Sequence, residues 1–432
     1  MKPPRIPTKV LLSVLIVLLL ACLVAPVFAA SAEPQIEWQQ QFKGMKFYTV
    51  IQARDGGYLL TGTNTSATWA DVVMKTDASG NVEWTRTYYI GTYYPIFTRA
   101  IQTSDGWYVL AGERNVEGYP STAPYVNATE LCVGKIDPSG TMQWSMTYIH
   151  EDGAIANDLV GFIETPDSSF LLVCNWYTFE PTDVWAWLVK TDWSGNLRWT
   201  RVMQGQYSGF NVGSMLLTND NLTAFIGTTA NEGSQSGMQL IKTDSGGVKL
   251  WQETYHFQAS VPNGTQDQSG AYAGIETADD GFLLAGYGGT PYNSWLVKTD
   301  SEGVMQWNRT YSDFNSLHSV VQNGHGGFAF TAMKDGNTWV AQTDEAGDVA
   351  WSWKLPSTDG FSSVIQKIVN TADGGYAVLG VEGKDSLCNS VLVKINSASA
   401  IPELPSALPV VVLMAATAAT LVVVRKRRMG KL

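Results

Sequence analysis

The chain has 432 residues, with 39 Asp and Glu against 28 Lys and Arg, a formal charge of -11, 16 Trp, 41 Gly and four Cys. The negative balance has the wrong sign for an electrostatic nucleic-acid binder. With 45% apolar and 16% charged residues the chain is not disordered throughout. Many large aromatics beside many turn residues point to short strands and tight turns, and away from a helical bundle.

In chain order, Lys2, Arg5 and Lys9 precede an apolar run from Val10 to Val27 and then the small residues Ala29, Ala30, Ser31 and Ala32. This layout predicts a secretory signal peptide over 1–32, cleaved near Ala30 or Ala32. Five Asn-x-Ser/Thr sequons, at Asn64, Asn127, Asn221, Asn263 and Asn308, fit an exported chain as glycosylation acceptors. Cys132, Cys174 and Cys388 remain after the signal, an odd number without metal-ligand spacing.

From 33 to 396 the sequence repeats. The segment Lys75 to Trp84 recurs as Lys135 to Trp144, Lys190 to Trp199, Lys242 to Trp251, Lys298 to Trp307 and Gln342 to Trp351. Ahead of it lies a second element, Asp55-Gly56-Gly57-Tyr58-Leu59-Leu60-Thr61-Gly62, repeated from Asp105, Asp279 and Asp373 and, in degenerate form, from Asp167, Asp220 and His325. The period is about 53 residues, near that of kelch repeats. A final Lys394-Ile395-Asn396 has no Trp after it, whereas Trp38 has no Lys before it, so the two are halves of one unit.

Each unit reads as four strands, A to D. The Asp-Gly pair predicts the A-to-B hairpin, and Asp-x-x-Gly predicts a C-to-D turn with Gly in a left-handed conformation. Trp84 and Tyr88, like Trp144 and Tyr148, are four residues apart on strand D and share one face. The expected fold is all-β: a seven-bladed propeller of four-stranded antiparallel blades, closed by the N-terminal strand carrying Trp38. An open β-solenoid is the rival architecture, and it needs no split unit. The structural repeat is carried by Trp38, Trp84, Trp144, Trp199, Trp251, Trp307 and Trp351.

After a linker at 397–406, Ala407 to Val424 forms an apolar run long enough to cross a bilayer, followed by a basic tail over 425–432. The tail should stay in the cytoplasm, leaving the propeller outside and anchored in the cell membrane by a transmembrane helix. Ile401-Pro402-Glu403-Leu404-Pro405-Ser406 ahead of this run resembles the PEF-CTERM class of prokaryotic sorting tails, with Leu404 in place of Phe.

Thr-Asp-x-x-Gly-x-x-x-Trp is similar to the tryptophan-docking repeat of quinoprotein-like (PQQ-type) propellers, with an Asp-to-Gly gap one residue shorter. The paired DGGYxLxG and KTDxxGxxxW patterns also resemble uncharacterised secreted propellers of prokaryotes. The quinoprotein resemblance implies turns that tie neighbouring blades together. As an enzyme, it implies a quinone and calcium in the central funnel.

Residues repeated in every blade are poor site candidates, because a single site breaks the pseudo-symmetry. The repeated Lys each have an Asp or Asn two residues later, so local pairing is expected. The Asp77-type residues are expected to cap turns, and no turn has the ligand density of a calcium loop. The A-to-B and C-to-D turns share one rim; the B-to-C and D-to-A loops, which vary in length, share the other. Tyr93, Tyr94, Tyr119, Tyr125, Trp176, Tyr177, Tyr287 and Tyr292 fall on this loop rim and are the candidate ligand contacts. Tyr and Trp give stiff contact area with a polar handle, suited to a glycan or a surface protein.

No nucleophile motif, phosphate loop or metal-ligand spacing among the four His appears, so no catalytic residue, metal or cofactor is assigned. Binding or adhesion is the expected function. The alternatives are the quinoprotein-like enzyme, a glycoside-processing enzyme using Glu151, Asp152, Asp183 or Asp313, and a structural envelope component.

Overall fold

A computed structural model describes residues 34–396, except 67–69, 90–95, 116–128, 151–156, 178–183, 204–208, 231–235, 258–267, 290–291, 357–362 and 385–386. The segments read as signal peptide, linker, transmembrane helix and tail lie outside the described residues.

The described strands form seven antiparallel sheets of four strands, each in the order A-B-C-D. Blade 1 runs Met45–Gln52, Tyr58–Asn64, Asp71–Thr76 and Val82–Arg86. Blades 2 to 6 repeat this order without interruption. Blade 7 takes three strands from the end of the chain, Ser363–Asn370, Tyr376–Lys384 and Leu387–Ile395, and its outer strand, Ile36–Phe42, from the beginning. The fold is therefore the seven-bladed β-propeller.

The split blade rebuilds across the cut what the other blades make within a continuous turn. In blade 1 the Asp77 N–H donates to the Asn81 carbonyl (2.8 Å), and Asp77 Oδ1 accepts from the Asn81 N–H (2.8 Å). In blade 7 the Asn396 N–H donates to the Gln35 carbonyl (3.1 Å), and Asn396 Oδ1 accepts from the Gln35 N–H (2.8 Å). Lys394 reaches Glu37 at 3.4 Å just as Lys75 reaches Glu83 at 3.0 Å.

Strands B and C are buried on both faces, as in blade 1, where Tyr58 to Thr63 and Asp71 to Thr76 are all buried. Such strands read as continuous apolar runs. The core is accordingly a ring of wedges between neighbouring blades. One wedge joins Val109, Leu131 and Val133 of blade 2 to Phe170, Leu172 and Trp187 of blade 3.

Tryptophan ties each wedge at the outer edge. The Trp84 ring of blade 1 lies against Gly140 in the C-to-D turn of blade 2, where an added Cβ would fall 3.0 Å from the ring. Gly140 has φ +82°, so both the backbone and the Trp require glycine there. Trp38 meets Gly80, Trp144 meets Gly195, Trp199 meets Gly247, Trp251 meets Gly303 and Trp307 meets Gly347 in the same way. The residue four further on completes the dock: the Tyr88 hydroxyl donates to the Gly140 carbonyl (2.7 Å) and that of Tyr255 to Gly303 (2.5 Å). Trp351, the outer-strand Trp of blade 6, is buried as well.

The repeated Lys residues pair differently from the expectation. Their partner is the Asp of the A-to-B turn, not the Asp or Asn two residues on. Lys75 binds Asp55 at 2.8 Å, Lys135 binds Asp105 at 2.7 Å, Lys242 binds Asp220 at 2.6 Å and Lys298 binds Asp279 at 2.8 Å. The physical reason is that the Asp77 carboxylate is engaged in its own turn, accepting from the Ser79 and Asn81 N–H groups. Lys75 stands beside Leu59 on strand B, next to the other hairpin.

Candidate functional site

The seven A strands line the central channel, a cavity of about 780 Å³. Every one carries a β-bulge at the equivalent place; the extra residue is Tyr48, Thr98, Val160, Gly213, Tyr272, His318 or Gln366 in turn. A bulge re-aims side chains locally. The next residue on each strand is small in five blades (Thr49, Gly161, Ser214, Ala273 and Ser319), but Arg99 in blade 2 and Lys367 in blade 7. Two residues nearer the hairpin rim stands an aliphatic collar that includes Ile51, Ile101, Leu216, Ile275, Val321 and Val369.

At the loop end of the channel, blades 5 and 6 bring four rings together. Tyr272 stacks on His318 with centroids 5.1 Å apart and planes 2° from parallel. Tyr287 packs on Tyr272 at 5.4 Å, and Tyr292 meets Tyr287 edge-on at 4.9 Å. Gly270 makes room for Tyr287, since an added Cβ would lie 2.9 Å from its hydroxyl oxygen. The Tyr292 hydroxyl donates to Gln268 Oε1 (2.7 Å), fixing the outer ring. Tyr272 and Tyr292 are 42% and 51% exposed, so the cluster faces solvent. Burial, with the neighbouring phenols of Tyr272 and Tyr292, pushes the Tyr287 hydroxyl up to about 12, leaving a neutral hydrogen-bond donor.

Beside these rings a cavity of about 370 Å³ lies between blades 4 and 5, walled by Tyr272 and Tyr287 and edged by Asn211 and Thr228. Gly213, the bulge residue of blade 4, lets the two blades approach closely beside it: a Cβ there would come within 2.6 Å of the Ala271 carbonyl.

The sequence candidates divide accordingly. Tyr287 and Tyr292 are in contact. Trp176 is buried, its ring stacked on His150 at 4.1 Å, so it packs the blade interior and offers no ligand surface. Tyr177 ends strand B of blade 3 (Phe170–Tyr177). Tyr93, Tyr94, Tyr119 and Tyr125 lie outside the described residues, as do Glu151, Asp152, Asp183, Asn127 and Asn263. Asp313 is exposed in the turn between blades 5 and 6. Asn221 and Asn308 are exposed, and Asn64 is half-buried. Tyr272, His318, Arg99 and Lys367 escaped the sequence reading. Comparing strand A between blades would have found them, as departures from the residues their neighbours carry.

Among the described residues no group of three or more His, Cys, Asp or Glu could hold a metal ion. The polar band of the channel presents Arg99 and Lys367 where calcium demands converging oxygens, so this donor set does not fit the calcium that a quinoprotein site implies. Cys132 and Cys174 are free and buried, and burial pushes both thiols up.

No family model matches the chain, and no curated protein does. Among solved structures, the polysaccharide lyase Uly1 is similar at 12% identity, covering 81% of this chain and 89% of that one, with a TM-score of 0.51. The WD40 domain of Neurospora crassa Pan2 is also 12% identical over 81% of this chain and 89% of that one, at 0.47. A protein of unknown function from Dyadobacter fermentans is 11% identical over 84% and 98%, at 0.46. At such identities the likeness is one of fold.

Proposed function

We propose that the protein is an exported binding module, anchored at the cell surface, that takes a glycan on its loop face. The observation that carries this reading is the aromatic-walled cavity of Tyr272 and Tyr287, rimmed by amide and hydroxyl groups. Its volume of about 370 Å³ suits one sugar ring. The apolar face of a pyranose packs on a phenol ring, and its hydroxyls find partners in Asn211, Thr228 and the Tyr287 hydroxyl. The signal-like 1–32 segment and the apolar run at 407–424 support the surface address.

The test is a glycan array followed by titration calorimetry on the full-length chain. Tyr272→Ala and Tyr287→Ala should each weaken the selected glycan by about tenfold or more, while the exposed Trp193→Ala leaves it unchanged. Full affinity in both tyrosine variants would overturn the reading.

A further inference from the structure

The central channel breaks the sevenfold pattern in a way the loop-face reading does not use. At the ring position after the bulge, five blades have small residues and two have cations, Arg99 of blade 2 and Lys367 of blade 7, on either side of Thr49 of blade 1. We propose that this pair forms an anion site, in which a ligand carrying a carboxylate or phosphate group enters the channel and places its oxygens between Lys367 and Arg99.

Three observations carry the assignment. First, Lys367 lines the channel with no described carboxylate to answer it: the charge acting on it is that of Arg99, of the same sign. Burial first, then that neighbouring charge, push its amine down to about 8. Secondly, Arg99 is held in place by backbone carbonyls of the channel wall. Its Nε donates to the Val160 carbonyl (2.8 Å) and its Nη1 to the Thr98 carbonyl (2.9 Å). Glu113 and Asp158 balance Arg99 from a side recess, and the Glu113 carboxylate is engaged by the Leu159 N–H. Thirdly, the aliphatic collar on the hairpin side lowers the local dielectric, which strengthens attraction to an incoming anion. Arg99 is thus answered from the recess, whereas Lys367 meets only a charge of its own sign, and an anionic ligand in the channel would answer it.

Titration calorimetry on the full-length chain with D-glucuronate, inorganic phosphate and neutral glucose tests this. At least one of the two anions should bind without competition from glucose, and Lys367→Met should weaken that anion by about tenfold or more. The exposed Lys249→Met serves as the control and keeps full affinity. Glucuronate alone would assign an organic carboxylate, and phosphate alone a phosphate group. The melting temperature gives a second readout: Lys367→Met should melt higher than the parent, because it removes a buried repulsion. The proposal is overturned if neither anion binds, if Lys367→Met keeps its affinity, or if that variant melts lower. Tyr287 stands outside the channel wall, so Tyr287→Ala should leave anion binding intact even where it abolishes glycan binding.

Discussion

Blades 5 and 6 carry the same turns on the same rim, yet one keeps an ion pair that the other has lost. In blade 5, Asp279 caps its hairpin and binds Lys298 at 2.8 Å. In blade 6 both partners are replaced together, by His325 and Gln342, and Asn323 Oδ1 takes over the capping by accepting from the His325 and Gly327 N–H groups. The outer dock is untouched: Trp307 still lies on Gly347, and the Tyr311 hydroxyl still donates to the Gly347 carbonyl (2.6 Å). The ion pair is thus a local and dispensable device whose halves come and go together, because a buried Lys without its Asp is costly. The Trp-on-glycine dock belongs to the contact between blades.

The sharpest way to break this contrast is at the dock. Trp251→Ala, which strips the ring from Gly303, should cost about 3 kcal/mol in denaturant unfolding. A loss no larger than that of the ion-pair variants would erase the distinction. Asp279→Asn comes next. It leaves Lys298, which is almost fully buried, with the Thr299 carbonyl and Gln306 as partners, and should cost about 2 kcal/mol.

Adding Lys298→Gln to Asp279→Asn imitates blade 6 and should recover part of that loss, by about 1 kcal/mol in a double-mutant cycle. Strict additivity would show that the paired loss in blade 6 has another cause. Tyr255→Phe, which removes only the hydroxyl that donates to Gly303, should cost about 1 kcal/mol.

Acid gives a further probe of the same pair. Burial favours the protonated Asp279, but the hydrogen bonds from Lys298 and Thr277 outweigh it and hold the carboxyl at about 2. A folded value below the unfolded one contributes stability that is present above about pH 4 and is lost as the pH falls toward 2. The Asp279→Asn/Lys298→Gln variant should therefore lose less stability than the parent over that window, measured by urea midpoints at each pH.

How far the sequence could be read follows from where its information lies. The blades were legible because Asp-Gly hairpins and Trp spacing recur with one period, and because the split unit demanded closure. The Lys partner is hidden because every repeated Lys but Lys394 has two Asp residues available, and only the tertiary register shows that one is engaged in its own turn. The bulges were invisible because their residues, from Gly213 to Tyr272, share no chemistry. Arg99 and Lys367 hide inside strands, each followed by apolar residues, Ala100-Ile101 and Ile368-Val369. Trp176 looks like a loop-rim ring until His150, from another loop, covers it.

The closure of blade 7 also has a mechanical consequence. Gln35 and Asn396 are hydrogen-bonded neighbours, and the pairing runs inward from Ile36 opposite Ile395 to Phe42 opposite Ser390. Tension applied between these two points would load the end pair first and peel the strand away one rung at a time. The ring is therefore built to open like a clasp at a single seam, at forces far below those needed to shear a whole strand from any other blade.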